Sequence, residues 1–183
     1  TTSHPLEFNE DLIEVYRQLP QLVSHVHLPV QSGSDAVLSA MKRNHSAEDY
    51  LQRIRKLKAA RPDIHISSDF IIGFPNESDD DFIATMNLIA EVDYDHSYSF
   101  IYSKRPGTPA AELVDSISDN TKKERLNLLK ARIKQNTERK TRAMMGTTQR
   151  VLVEKLSERD PEYMMGTAEN TRLVLLPAQP ELL

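Results

Sequence analysis

Three short apolar runs constrain the fold of this chain more than any other feature. His25-Val26-His27-Leu28-Pro29-Val30, Ile64 to Ile72 and Ser97 to Ser103 each read as a strand that closes in a turn-forming segment. Those segments are Gln31-Ser32-Gly33-Ser34, Gly73-Phe74-Pro75 and Arg105-Pro106-Gly107-Thr108-Pro109. Between the runs the period is helical. Ser34 caps a helix whose Val37, Leu38 and Met41 share a face, and Ser46 with Asp49 forms a capping box ahead of Tyr50, Leu51, Ile54 and Leu57. Ser78 and Asp81 begin another helix through Glu91, with Phe82, Ile83, Met86 and Ile89 turned inward, and an earlier helix runs from Asn9 to Leu19 until Pro20 stops it. Strands and helices that alternate with about 30 residues between strands imply right-handed βαβ crossovers and a parallel sheet, either open and doubly wound or part of a barrel.

The character changes after Ser118. Residues 118 to 145 read as one long helix with Leu126, Leu129, Ile133 and Met144 inward and nine lysines and arginines against three acidic residues elsewhere on it. That segment carries about +6, so the rest of a chain with net charge −4 carries about −10. Gly146 ends the helix, and residues 149 to 154 and 171 to 176 read as strands of a separate small β unit. Two strands are marginal alone, which implies that the unit is cut short at Leu183. The chain also lacks an initiating methionine and begins in what reads as the end of a strand, so it is expected to be a fragment.

Composition removes several kinds of function. The 183 residues contain no cysteine, which excludes disulfides, thiolate zinc sites, a cysteine nucleophile and an iron-sulfur cluster held by this stretch. No apolar run approaches the roughly 18 residues of a membrane span, and no charged and apolar leader opens the chain, so a cytoplasmic location without membrane contact is expected.

In a parallel α/β fold the ligand sits at the carboxyl ends of the strands. Candidate groups there are Ser3 and His4, Gln31 and Ser32, Asp69, the Gly73-Phe74-Pro75 turn and the loop from Ser103 to Thr108. Asp69 stands out, because a carboxylate inside an apolar strand is costly unless it is paired or binds a ligand hydroxyl. Gln31 is a ligand amide or a loop residue, and Arg43 by itself complements the dipole of the preceding helix. His25 and His27 share one face of a strand, the His-x-His arrangement of some metal-dependent barrel hydrolases, with Asp69 as a third ligand. They lie at the start of the strand, which favours buried or interfacial histidines over ligands. The basic helix suits RNA phosphates by counterion release, although no aromatic residue interleaves its cations.

The stretches HLPVQSGSD (27 to 35), MKRNH (41 to 45), ARPDIHISSDFIIGFP (60 to 75), SYSFIYSKRPGTPAAEL (97 to 113) and GTTQRVLVE (146 to 154) together resemble the MiaB type of tRNA methylthiotransferase, a radical S-adenosylmethionine family. The resemblance spans nearly the whole chain. Related methylthiotransferases of threonylcarbamoyl-adenosine in tRNA, and those of a ribosomal protein, are the alternatives within the class, and a non-enzymatic RNA-binding remnant is the alternative outside it.

The resemblance implies an α/β fold in which residues 1–117 are the C-terminal half of a partial (β/α) TIM-type radical barrel. Residues 118–146 would be a linking helix, and 147–183 the truncated start of a small all-β, RNA-binding TRAM domain. It implies that Gln31, Arg43 and Asp69 hold S-adenosylmethionine, with the guanidinium on its carboxylate and Ser3 and His4 flanking the same pocket. It further implies methylthiolation of isopentenyladenosine beside the anticodon, with Arg105, Arg125, Arg132, Arg139 and Arg142 on the tRNA anticodon stem-loop and a monomeric full-length enzyme. In that family S-adenosylmethionine serves both radical generation and methyl donation, and two 4Fe-4S clusters are held by cysteines that this chain lacks, so it would be inactive alone. The turn reads GFPNES where the family usually has GFPGET, and Asn76 tolerates the left-handed conformation.

Overall fold

The computed structural model describes residues 4–179 and 181. Strands β1 (His25–His27), β2 (His65–Ile72) and β3 (His96–Ile101) form a parallel sheet in the order β1-β2-β3. Helix α1 (Glu10–Gln18) precedes the sheet, α2 (Asp35–Ala40) and α3 (Ala47–Ala60) link β1 to β2, and α4 (Asp79–Val92) links β2 to β3. The long α5 (Asp119–Ala143) follows. An antiparallel sheet of β4 (Val151–Leu156), β5 (Tyr163–Ala168) and β6 (Leu173–Pro177) ends the chain.

Helix starts follow the capping chemistry of the sequence. Asn9, Ser34, Ser46, Ser78 and Ser118 each accept a backbone N–H of the first turn, and both expected capping boxes form. The first strand is shorter than its apolar run because Pro29 has no N–H to give to the ladder. Leu28 N still donates to Ser67 O, Val30 N turns to the Ser68 hydroxyl at 3.0 Å, and regular pairing resumes only where Gln31 N meets Asp69 O.

Alternation along β2 sets the two faces of the parallel sheet. Ile66, Ser68, Phe70 and Ile72 point into the helical layer and are fully buried, against Tyr50, Ile54 and Leu57 of α3, Leu88 and Ile89 of α4 and Leu129 and Ile133 of α5. Each such apolar side chain contributes about 2 kcal/mol of transfer free energy. The polar groups that this layer encloses are joined to one another: Tyr94 donates to the Tyr50 hydroxyl and Tyr50 to Leu28 O. The other face carries His65, Ser67, Asp69 and Ile71, and among the described residues no helix lies over it.

Helix α5 corrects the sequence reading in one respect. Its buried stripe begins with Lys122 and Arg125 before it reaches Leu129, Ile133 and Asn136. Arg125 Nη1 donates to Glu77 Oε2 at 2.7 Å and its Nη2 to Asp79 at 2.6 Å, Lys122 meets Asp115, Arg139 meets Asp93, and Lys140 meets Asp93 and Asp95. Four of the nine cations therefore neutralise carboxylates outside the helix, and the charge polarity seen in sequence is in part an internal adhesive.

The sequence reading also misses β5, whose Tyr-Met-Met-Gly-Thr-Ala run carries a glycine and no β-branched alternation. Gly166 is required there, since a Cβ would stand 2.6 Å from Leu152 O and from a Val151 methyl. Arg172, in the β5–β6 turn, ties this sheet to α5 through Thr141 and approaches Asp95 at 3.5 Å.

Asp95 is thus a junction. It accepts from His65 at 2.6 Å, from Lys140 at 2.8 Å and from Ile66 N, and it is buried. Burial alone pushes its carboxyl up, but these bonds and charges together hold it well below the usual carboxylate range. A carboxyl depressed on folding contributes stability that is present above its unfolded pKa and is lost as pH falls below about 4. Asp95→Asn is expected to lower stability at neutral pH by about 2–4 kcal/mol and to flatten the acid limb in urea titrations carried from about pH 7 down to about pH 2. An unchanged acid limb would remove Asp95 from that role.

Candidate cofactor and substrate site

The carboxyl ends of β1 and β2 meet at Gln31. Its backbone holds φ of 79°, the left-handed region, and bridges β2 by donating to Asp69 O and accepting from Ile71 N, each at 3.0 Å. A non-glycine residue held there is strained, and such strain collects at ligand sites. The following loop is clamped onto α4. Gly33 N donates to Thr85 Oγ1 at 2.9 Å, Ser32 shares that hydroxyl, and Ser34 donates to Asp81 at 2.5 Å. Gly33 lies so close to α4 that a Cβ would sit 2.6 Å from Ala84 O and Thr85 Cα.

Three of the sequence candidates come together at this edge. Asp69 Oδ1 is buried without a hydrogen-bond partner among the described residues, and His27 Nε2 lies 3.4 Å from it. The Gln31 side chain is buried, and its amide makes no hydrogen bond among the described residues. Arg43, half-buried in the loop after α2, has no carboxylate partner there; burial lowers its pKa and the charge of Asp69 opposes that shift. One carboxylate, one amide and one guanidinium, all partly desolvated and uncommitted, fit a ligand that brings hydroxyl or amino donors together with a carboxylate of its own.

The other candidates are dispersed. His4 caps a short 3-10 turn through Nδ1 and lies 5.7 Å from the His45 ring, edge to face, and Ser3 is outside the described residues. Arg105 is exposed in its loop, Arg132 is half-buried without a carboxylate among the described residues, Arg142 is exposed beside Glu138, and Arg139 is paired with Asp93. Arg125 is withdrawn as an RNA contact, because its guanidinium is buried on Glu77 and Asp79 and lies 5.6 Å from the Phe82 ring. His25 and His27 do share a face, with both rings on the Ser67 hydroxyl at 3.0 and 2.9 Å. Among the described residues no three His, Asp or Glu side chains converge on a metal-binding point.

Sequence reasoning passed over four residues at this edge. Glu77 is buried, accepts from Gly73 N at 3.0 Å and Arg125, and so holds the Gly73-Phe74-Pro75 turn; burial raises its carboxyl against both bonds. Beside it Asn76, as expected, takes the left-handed conformation at φ 67°. His45 is buried with both ring nitrogens unpartnered among the described residues, and burial pushes it down. Tyr98 and Phe100 follow the alternation of β3 onto the face of Asp69, where Tyr98 is its register partner. The Tyr-Ser-Phe-Ile-Tyr spacing of two was the available signal for these last two.

Residues 1–89 match the radical SAM superfamily. It is 63% identical over 177 residues to tRNA-2-methylthio-N(6)-dimethylallyladenosine synthase of Psychrobacter cryohalolentis, covering 97% of this chain and 36% of that protein. The same-named protein of Acinetobacter baylyi is 62% identical over 180 residues, covering 98% of this chain and 37% of the relative. The chain thus spans little more than a third of the relatives it matches, which bear the name that its motifs led us to expect. Among solved structures, coproporphyrinogen III oxidase of Escherichia coli, a radical SAM enzyme, superposes with a TM-score of 0.58 at 22% identity, over 74% of this chain and 31% of that one.

The clamp on the Gln31 loop is testable. Gly33→Ala is expected to destabilise the chain by about 2 kcal/mol in urea, because the backbone of α4 must move to admit the methyl. A change below about 0.5 kcal/mol would mean that the loop is free to shift.

Proposed function

We propose that the protein containing this chain methylthiolates a dimethylallylated adenosine of tRNA, using S-adenosylmethionine held at the carboxyl ends of β1 and β2. The observation that carries the proposal is the buried, unpartnered Asp69 Oδ1 beside the uncommitted Gln31 amide and Arg43 guanidinium. Asp69 accepts from a ribose hydroxyl or the amino group, Arg43 clamps the carboxylate, and Gln31 supplies an amide donor and acceptor on a loop that cannot drift. When bound, S-adenosylmethionine supplies the methyl donor and the radical chemistry for which the superfamily is named.

A cluster does not fit this chain, since it has no cysteine to ligate iron. Two 4Fe-4S clusters belong to the remainder of the protein in this reading, and none of the residues described above takes part in holding them. The uncovered face of β1-β2-β3 supports reading the first 117 residues as part of a barrel. The second sheet supports a TRAM-like reading, since it leaves Leu152, Leu173 and Leu175 exposed on one side, as an incomplete β-barrel would. The relatives' names favour the dimethylallyl substrate over threonylcarbamoyl-adenosine. Of the arginines expected on the RNA, Arg105 in its loop and Arg132 and Arg142 on α5 remain to face an anticodon stem-loop, with Lys123 and Lys130 also exposed on α5.

In the complete protein with its clusters, Asp69→Ala is expected to weaken S-adenosylmethionine binding by at least about tenfold in calorimetry. Wild-type affinity would overturn the site. On the RNA side, Lys130→Glu with Arg132→Glu should lower tRNA affinity and reduce the salt slope by about 1 for each phosphate that is no longer neutralised. Arg125→Gln should instead lower stability by about 3 kcal/mol while leaving the slope unchanged, because it strands the buried Glu77. A steeper or equal effect of Arg125→Gln on the slope would reverse this division of roles.

A further inference from the structure

We propose that Tyr98 and Phe100 form a stacking platform for the adenine that is modified, on the side of Asp69 away from the cofactor groups; this rests on the tRNA-modification reading above. Gln31 and Arg43 approach Asp69 from the β1 side. Tyr98 and Phe100 stand on β3, paired in register with Asp69 and Ile71, so a ring lying on them faces the same carboxylate edge from the opposite direction.

Their surroundings suit a planar, mostly apolar partner. Both are more than half exposed, at 55% and 56%, in a chain with only six tyrosines, five phenylalanines and no tryptophan. Tyr98 is held in place by two imidazoles set nearly perpendicular to it, His96 at 4.7 Å and 88° and His27 at 6.0 Å and 77°. Those contacts limit the ring's rotation before any ligand arrives, which lowers the ordering cost of stacking. Two residues further in the same alternation, Tyr102 lies 5.0 Å from Phe74 at an interplanar angle of 67°, and its hydroxyl is buried without a partner among the described residues. The arrangement therefore offers two aromatic surfaces and one hydrogen-bonding group at the end nearest the Gly73-Phe74-Pro75 turn.

A base inside an RNA stack cannot reach such a site unless it is unstacked, and aromatic side chains are the usual replacement for its lost neighbours. The platform takes the adenine ring, and Ile71 and Phe100 provide apolar surface for a hydrocarbon substituent on it. The adenine of the cofactor is the competing occupant, which the test separates.

The test uses the complete protein with its clusters and an anticodon stem-loop RNA bearing either the dimethylallyl-adenosine or an abasic site at the target position. Wild type is expected to bind the modified RNA more tightly than the abasic one. Tyr98→Leu with Phe100→Leu should weaken the modified RNA about tenfold and the abasic RNA little, with Tyr98→Phe close to wild type and the S-adenosylmethionine dissociation constant unchanged. A loss confined to S-adenosylmethionine, or an equal loss for both RNAs, would overturn the platform while leaving the tRNA reading intact. If wild type itself binds no RNA, or does not distinguish the two RNAs, the reading beneath it fails as well. Wild-type protein photolabelled with RNA carrying 8-azidoadenine at the target position gives a second readout that needs no variant: label within residues 96–102 supports the platform, and label elsewhere overturns it.

Discussion

The rest of the structure depends on β2 serving two environments at once. Its even-numbered residues from Ile66 to Ile72 anchor the helical layer, and its odd-numbered ones from His65 to Ile71 line a face that no helix covers among the described residues. Because the strand period is two, a shift of one residue would bury Asp69 among Tyr50, Leu57 and Leu88 and expose Phe70. Register is therefore fixed by the cost of burying that carboxylate, and the same cost leaves Asp69 available at the sheet edge. Stability and site selection are the same constraint seen from two faces.

Around that strand, charge does what apolar burial does elsewhere. Helix α5 has little hydrophobic stripe at its start, and it is seated through Arg125, Arg139 and Lys140 on carboxylates of the parallel layer and through Lys122 on Asp115 of the loop before it. Removing one partner of a buried pair leaves the other without water or counter-charge, so these contacts fix orientation more than they add net stability. Glu77 illustrates the connection to the site, because the carboxylate that seats Arg125 also holds Gly73 N at the turn bordering the candidate pocket.

Much of the fold was legible in the sequence because its signals are local. Caps at Ser34, Ser46 and Ser78, the proline stop after α1, and the alternation of strands and helices each act within a few residues. What was not legible depended on distant partners. Lys122 and Arg125 look like solvated cations until Glu77, Asp79 and Asp115 are placed beside them, and β5 has no signal of its own because Gly166 is chosen by a neighbouring strand. At the site, the apolar context of Asp69 marked it in advance. Gln31 and Arg43 carried weak signals separately, and they gained meaning only when the left-handed Gln31 loop brought both to the same edge. His45 and Glu77 gave no warning, since burial of a polar side chain is a tertiary fact.

The central claim is that Gln31, Arg43 and Asp69 together form the seat of S-adenosylmethionine. It is met most directly by a crystal structure of the complete protein with that cofactor bound. The account predicts Asp69 Oδ1 and the Arg43 guanidinium each within about 3.2 Å of cofactor polar atoms, with the Gln31 amide on the same molecule. A cofactor seated elsewhere, with Asp69 Oδ1 still unpartnered, would contradict it.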